Sequence, residues 1–245
     1  MKILSIGNSF SRDAHYYLPR LAMENSVSMS LYNLYIAGCS LEKHWENAIW
    51  NQRNYLLEKD GVSTDRYVSL QEALDLESWD VITFQQSSPY SGMPQSYVPY
   101  LTYLADRVRS QHPTATLYFH QTWSYEWGSA HHGFAHYQND QQEMYRRIAD
   151  ASLMAAKLSD AYLIPVGGVL QRLRETVPAF DYLHGGLSLC RDGFHLSMDY
   201  GRFTAAAVWF YTLTGKLPRA QSMEHLDSEL IAAILKCVEA PLEEL

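Results

Sequence analysis

A serine becomes a nucleophile when a base takes its proton and donors receive the charge that develops on the acyl oxygen. This chain offers residues for each role. Gly7-Asn8-Ser9-Phe10-Ser11 places hydroxyls after a glycine, at the end of an apolar run and ahead of a helical pattern. That helix would aim its free amides and positive dipole end at an oxyanion. The plain alternative is that Ser9 or Ser11 simply caps the helix. A base appears late, in Asp192-Gly193-Phe194-His195-Leu196-Ser197. Spacing of three lets the carboxylate fold back onto the imidazole Nδ1–H, which fixes the tautomer that leaves Nε2 free for a serine proton. A second such spacing, Asp181-Tyr182-Leu183-His184, runs into Gly185-Gly186. After His195, by contrast, Ser197 can cap an apolar helix and so anchor the loop. His195 with Asp192 is the preferred pair.

These residues need elements to deliver them. Short apolar runs alternate with amphipathic stretches, the pattern of an α/β domain built on a parallel sheet. Five strands are expected, over residues 2–6, 29–36, 80–84, 114–119 and 162–166. Helices are expected over 12–25, part of 41–58, 96–111, 138–158, 197–214 and 226–239. No repeat or linker divides residues 1–245, so one domain is expected, with 89–100 and 124–137 as loops over a site. In an open parallel sheet, ligands bind beyond the carboxyl ends of the strands where the strand order reverses. With the order 2-1-3-4-5, three loops meet there: that of Ser9, that of Gly38 in Ala37-Gly38-Cys39-Ser40, and the Gln85-Gln86 pair. Successive strand residues point to opposite faces, so one glutamine should face the site and the other anchor a loop. Trp123 and Tyr125, just past the fourth strand, are expected to wall the substrate pocket.

Gly7-Asn8-Ser9-Phe10 after the first strand, Gly38 after the second, a polar amide after the third, and Asp192-Gly193-Phe194-His195 before the last helices resemble the SGNH/GDSL hydrolase superfamily. The resemblance covers nearly the whole chain. The GNSF form, Phe84-Gln85-Gln86 and Gln121-Thr122-Trp123 look most like a GNSF-type bacterial subgroup of SGNH esterases. It implies a three-layer, flavodoxin-like α/β sandwich with a five-stranded parallel sheet. It also implies Ser9 as nucleophile, His195 as general base and acid, Asp192 as its orienter, and the Ser9 and Gly38 amides as oxyanion donors. Two positions depart from the family pattern. Its usual Asp after the first glycine is Asn8 here, outside the triad and grouped with the substrate-binding residues. The Gly-x-Asn-Asp block is absent, so the third oxyanion donor is carried over to Gln86, with Gln85 as the alternative. The implied activity is a serine esterase that removes a small acyl group, acetyl foremost, through an acyl-enzyme and without a cofactor.

Composition narrows the rest. With 47% hydrophobic and 19% charged residues, the chain can bury a core, and disorder is not expected. The 19 Lys+Arg against 27 Asp+Glu leave a formal charge of −8 with no basic run, which argues against nucleic acid as a partner. The 18 Tyr and 6 Trp against 8 Phe suit half-wet surfaces, sugar clefts and interfaces alike. Together with the resemblance, they point to an acylated carbohydrate as the small-molecule substrate. Cys39, Cys190 and Cys237 form no CxxC pair, and the apolar start is cut short by Asn8 and Arg12. No stretch reaches the ~18–20 apolar residues of a membrane span. A cytoplasmic protein without a membrane partner is expected, and its oligomeric state is not indicated. Two rival readings stand beside the esterase. His131, His132, His136 and Asp140 could line one helical face and hold Zn²⁺ in a metal-dependent hydrolase, although Gly128 and Gly133 make the stretch read as a loop without a fourth ligand, so no metal is expected. A non-catalytic carbohydrate-binding protein on a hydrolase scaffold is the other. His120 reads as a buried, hydrogen-bonded histidine.

Overall fold

The computed structural model describes residues 1–241. Its sheet contains β1 (Lys2–Gly7), β2 (Ser30–Tyr35), β3 (Tyr55–Lys59), β4 (Val62–Val68), β5 (Val81–Phe84), β6 (Thr116–His120) and β7 (Tyr162–Ile164), in the order β4-β3-β2-β1-β5-β6-β7. The parallel strands β2, β1, β5, β6 and β7 follow one another in the expected order. The expected five-stranded parallel sheet is nevertheless corrected. Two antiparallel strands, β3 and β4, extend it beyond β2 into a seven-stranded mixed sheet. They are joined at Asp60-Gly61, both with positive φ (50° and 80°), the two-residue geometry that tight hairpins favour. β4 is exposed along most of its length and so carries no apolar alternation.

Nine α-helices lie among the described residues: α1 (Ser9–His15), α2 (Leu18–Glu24), α3 (Leu41–Ile49), α4 (Leu70–Leu74), α5 (Tyr100–Gln111), α6 (Gln141–Leu158), α7 (Val166–Thr176), α8 (Tyr200–Thr214) and α9 (Ser228–Glu239). The helix expected over 12–25 is divided because Pro19, at the start of α2, has no amide hydrogen for the preceding turn. α7 was not expected, since Gly167-Gly168 at its start weaken the helical signal.

Alternation along the central strands makes the sheet apolar on both faces. Ile3 and Val81 join a core with Leu18, Leu170, Phe203 and Trp209, from α2, α7 and α8. Leu4, Ile6, Ile82 and Phe84 face the opposite way, onto Leu41, Leu70, Leu101 and Leu104 of α3, α4 and α5. A polar rung interrupts the first face: Thr83 Oγ1 donates to Ser5 Oγ at 2.9 Å, and Ser5 Oγ lies 3.0 Å from His15 Nε2. Burial pushes His15 down to about 3, so this rung is neutral. It ties α1 to the sheet. No helix among the described residues is long and apolar enough to cross a membrane.

Candidate active site

At the end of β1, Asn8 caps α1, its Oδ1 accepting the Phe10 amide at 2.9 Å. Ser9 is therefore not the cap. Ser11 is buried and occupied, accepting the Asn8 amide at 3.0 Å and lying 2.8 Å from Asn33 Oδ1. Ser9 Oγ instead stands 3.0 Å from His195 Nε2, and His195 Nδ1 lies 2.7 Å from Asp192 Oδ2. The other Asp192 oxygen accepts the His195 amide at 2.7 Å and the Phe194 amide at 3.2 Å. Partial burial would raise the Asp192 carboxyl, but the bonds from the His195 ring and these two amides outweigh it and hold the group below its ordinary range. Asp192 thus stays ionised beside the imidazole at neutral pH. Asp181 and His184 pair in the same way at 2.7 Å, but the His184 side chain is 74% exposed and no hydroxyl among the described residues meets its Nε2.

The loop carrying Asp192 and His195 is closed on itself and clamped to α1. Arg191 N donates to His195 O at 2.8 Å, and Cys190 bridges Leu196. Gly193 turns the chain at φ 84° with Ser129 packed against it, a position that an added Cβ would crowd at 3.0 Å. One helical turn beyond Ser9, the fully buried Asp13 carboxylate accepts the Leu196 amide at 2.9 Å. It also accepts Arg191 Nη1 on both oxygens at 3.1 Å, and Arg202 Nε and Nη2 at 2.8 and 2.7 Å. The helix that presents Ser9 therefore also holds the backbone next to His195. Glu126 braces the far side, donating its amide to Gly193 O at 2.8 Å and accepting the Leu189 amide at 3.0 Å. Neither Asp13 nor Glu126 stands in a recognisable motif. Asp13 lies four residues after Ser9, on the same helical face, and that spacing is the one signal that could have singled it out.

Several expected site residues take other positions. Trp123 stacks on Phe10 with centroids 4.0 Å apart and donates to Phe194 O at 2.7 Å, while Tyr125 shares a 2.8 Å hydrogen bond with Ser88 Oγ. Both rings are fully buried, so they support the His195 loop from beneath rather than wall a pocket. Asn8, placed with the substrate-binding residues, is equally buried. It links three strand ends, donating to Cys39 O at 3.1 Å and accepting Gln85 Nε2. Gln85 Oε1 in turn lies 3.0 Å from Nδ1 of His120, which is buried and pushed down to about 3 by that burial. Gln86 is the larger correction. Its Oε1 accepts the Leu41 and Ser87 amides at 3.0 and 2.8 Å, and its Nε2 donates to Ser96 O and Oγ at 2.9 and 3.0 Å, which leaves no free donor for an oxyanion. It is a loop anchor. Gln86→Ala is accordingly expected to cost about 1–3 kcal/mol of stability through the stranded amides, read in denaturant melts, with kcat/KM per folded molecule near wild type. A drop of kcat by two orders of magnitude at unchanged stability would restore the oxyanion role. Gly38, at φ 61°, has open space on its Cβ side.

The histidine-rich stretch forms a 3₁₀ turn over His132–Tyr137, with His131 Nδ1 accepting the Gly133 amide at 3.0 Å and Asp140 capping α6. Among the described residues no group of three or more His, Cys, Asp or Glu side chains is placed to hold a metal ion.

A family model described as a domain of unknown function, DUF4886, matches residues 2–229. The crystal structure of a DUF4886 family protein from Bacteroides uniformis is 36% identical, with a TM-score of 0.89 over 98% of this chain and 93% of that one. A protein from Slackia heliotrinireducens assigned as an SGNH hydrolase is 23% identical, with a TM-score of 0.59 over 87% and 98%. A catalytic mutant of Axe2, an acetylxylan esterase from Geobacillus stearothermophilus, is 11% identical, with a TM-score of 0.55 over 90% and 97%. The last two likenesses establish a shared fold, that of the SGNH/GDSL hydrolases. No curated protein sequence matches the chain.

Proposed function

The chain belongs to the DUF4886 family, and from that membership, the SGNH fold and the Ser9 geometry we propose that it is a serine esterase that removes small acyl groups, acetyl foremost, from carbohydrate alcohols. The observation that carries the reading is the continuous line from Asp192 Oδ2 through His195 to Ser9 Oγ, with contacts of 2.7 and 3.0 Å. In this mechanism His195 Nε2 takes the Ser9 proton as Oγ attacks the acyl carbonyl. Asp192 keeps the Nδ1–H tautomer and stabilises the imidazolium that forms. The tetrahedral oxyanion is received by the backbone amides of Ser9, at the start of α1, and of Gly38, which have no acceptor among the described residues. His195 then protonates the departing alcohol, and water, deprotonated by the same nitrogen, releases the acid from the acyl-enzyme.

Support for the acetyl group and the sugar comes from the acetylxylan esterase that shares the fold, and from the chain's wealth of Tyr and Trp. The test is a kcat/KM series over p-nitrophenyl acetate, butyrate and octanoate and over acetylated sugars. The rate should be highest for the acetyl esters and fall with chain length. Absence of turnover on every ester would overturn the reading, and a maximum at octanoate would overturn its acyl assignment.

A further inference from the structure

The His195 ring is the inner member of a row of rings. Phe194 lies 4.2 Å from it between centroids, His131 stands edge-on to Phe194 at 4.6 Å, and His132 stacks on His131 at 4.6 Å. The segment that carries these two histidines is tied to the acid–base loop. Glu126 N donates to Gly193 O at 2.8 Å, Ser129 packs against Gly193, and the buried Tyr125 ring lies 4.7 Å from that of His131. At its other end Gly133 packs against Pro89, in the loop that follows β5, so the segment spans from the acid–base loop to the strand beside β1.

The contacts of His131 fix its tautomer. Gly133 N donates to Nδ1 at 3.0 Å, so the ring proton resides on Nε2. Burial, then the neighbouring His132 and His195, hold the ring below its ordinary range and outweigh Asp192, which acts in the opposite sense. His131 is therefore a neutral N–H donor at neutral pH. Nε2 finds no acceptor among the described residues, yet it is not a buried atom: the side chain is half-buried and this nitrogen keeps surface that a ligand can reach. With one nitrogen occupied and the other protonated, the ring is set up neither as a metal ligand nor as a second base.

In the mechanism above, the oxyanion faces the Ser9 and Gly38 amides, while the departing oxygen must face His195 Nε2, which protonates it. The alcohol portion therefore extends on the His195 side. From His195 through the ester oxygen and a neighbouring oxygen to a donor is roughly three steps of about 3 Å, and two ring contacts separate His195 from His131. An anionic group there would be repelled by the ionised Asp192, and an alkyl chain would cover the N–H without accepting from it. A neutral oxygen meets both conditions.

We propose that His131 Nε2–H donates to a hydroxyl or ether oxygen next to the ester in the substrate's alcohol, so that the site prefers esters of polyols to those of simple alkanols. The preference rests on the esterase reading; the contact can be read without turnover. Ethylene glycol monoacetate and propyl acetate isolate it, since they differ by a hydroxyl in place of a methyl. The ratio of their kcat/KM values should favour the hydroxyl ester in the wild-type protein and fall about fivefold in His131→Phe, chiefly through KM. Phenylalanine keeps a ring against Phe194 and Tyr125; His131→Gln gives up the ring, keeps an N–H and should retain most of the ratio. An unchanged ratio in His131→Phe, or a larger fall in His131→Gln, makes His131 a packing residue and overturns the proposal. The second measurement needs no catalysis. In Ser9→Ala protein carrying ¹⁵N-labelled histidine, the His131 Nε2 resonance should move on titration with ethylene glycol monoacetate and much less with propyl acetate. Equal response to the two, or none, overturns the contact even if both esters are hydrolysed by the wild-type protein. A selective response when the wild-type protein hydrolyses neither keeps the contact and overturns the esterase.

Discussion

Ser9→Ala is expected to lower kcat by roughly 10⁴–10⁶-fold while the protein stays folded, with its thermal transition within a few degrees of wild type. The size of the loss follows from the role: without Oγ there is no acyl-enzyme, and only the oxyanion donors and binding remain to assist water. The retention of structure follows from the contacts. Among the described residues the Ser9 hydroxyl meets only His195, while capping of α1 falls to Asn8 and Ser11. His195→Ala should fall to a similar floor, and the double variant should fall no further, because groups that act as one unit are not additive. Comparison of p-nitrophenyl acetate kinetics with melting curves for the three proteins makes the check. Residual activity above a tenth of wild type would mean that another group attacks the ester.

Asp13→Ala should destabilise the protein by about 3–5 kcal/mol, since it strands Arg191 and Arg202 beside a cavity that their one shared carboxylate had neutralised. At about 2–4 °C per kcal/mol for a chain of this size, the melting temperature should drop by roughly 6–20 °C. Activity should fall further than stability explains. Leu196 N loses its acceptor next to His195, and a shift of the imidazole by about 1 Å can cost on the order of 10² in rate. Measured well below its melting temperature, the variant should therefore show a lower kcat with KM much less affected. Arg191→Met, which leaves the Asp13–Arg202 pair in place, should melt higher than Asp13→Ala yet share part of the kcat loss. If kcat in both variants follows only the folded fraction, the carboxylate supports the core and does not position the loop.

The parts of this site that can be read from sequence are those whose geometry is local. Asp192 and His195 are three residues apart, so their contact closes within one turn, and Ser9 sits directly past a strand whose apolar character is evident. The order of the parallel strands is legible for a related reason: alternating strands and helices admit few arrangements. Asp13 illustrates what is lost. Its partners lie 178 and 189 residues away, and next to Arg12 and ahead of His15 it reads as one more solvated charge. Gln86 is not legible in this way because an amide side chain shows its chemistry but not its target, and its four hydrogen bonds reach the Leu41, Ser87 and Ser96 segments. Trp123 and Tyr125 lie on the Ser9 side of the sheet, but ring type alone cannot separate a wall from a foundation. β3 and β4 were hidden for the opposite reason, since β4 has too little buried surface to leave a pattern, and only the Asp60-Gly61 pair marked the turn.

That hairpin also determines how the sheet ends. On one side the outermost strand carries Asp65 and Arg66, is largely solvated, and pairs through a register shift at Leu57/Glu58. On the other side β7 is three residues long. Charge, irregular register and shortness each make a strand a poor template for a further one. The central strands, buried on both faces, are the kind of segment that stacks into aggregates once exposed, and here each lies at least one partner away from solvent at the sheet's rim. Association between copies by continuation of the sheet is disfavoured at both edges, which leaves the helical faces and loops as the surfaces through which this protein can meet another.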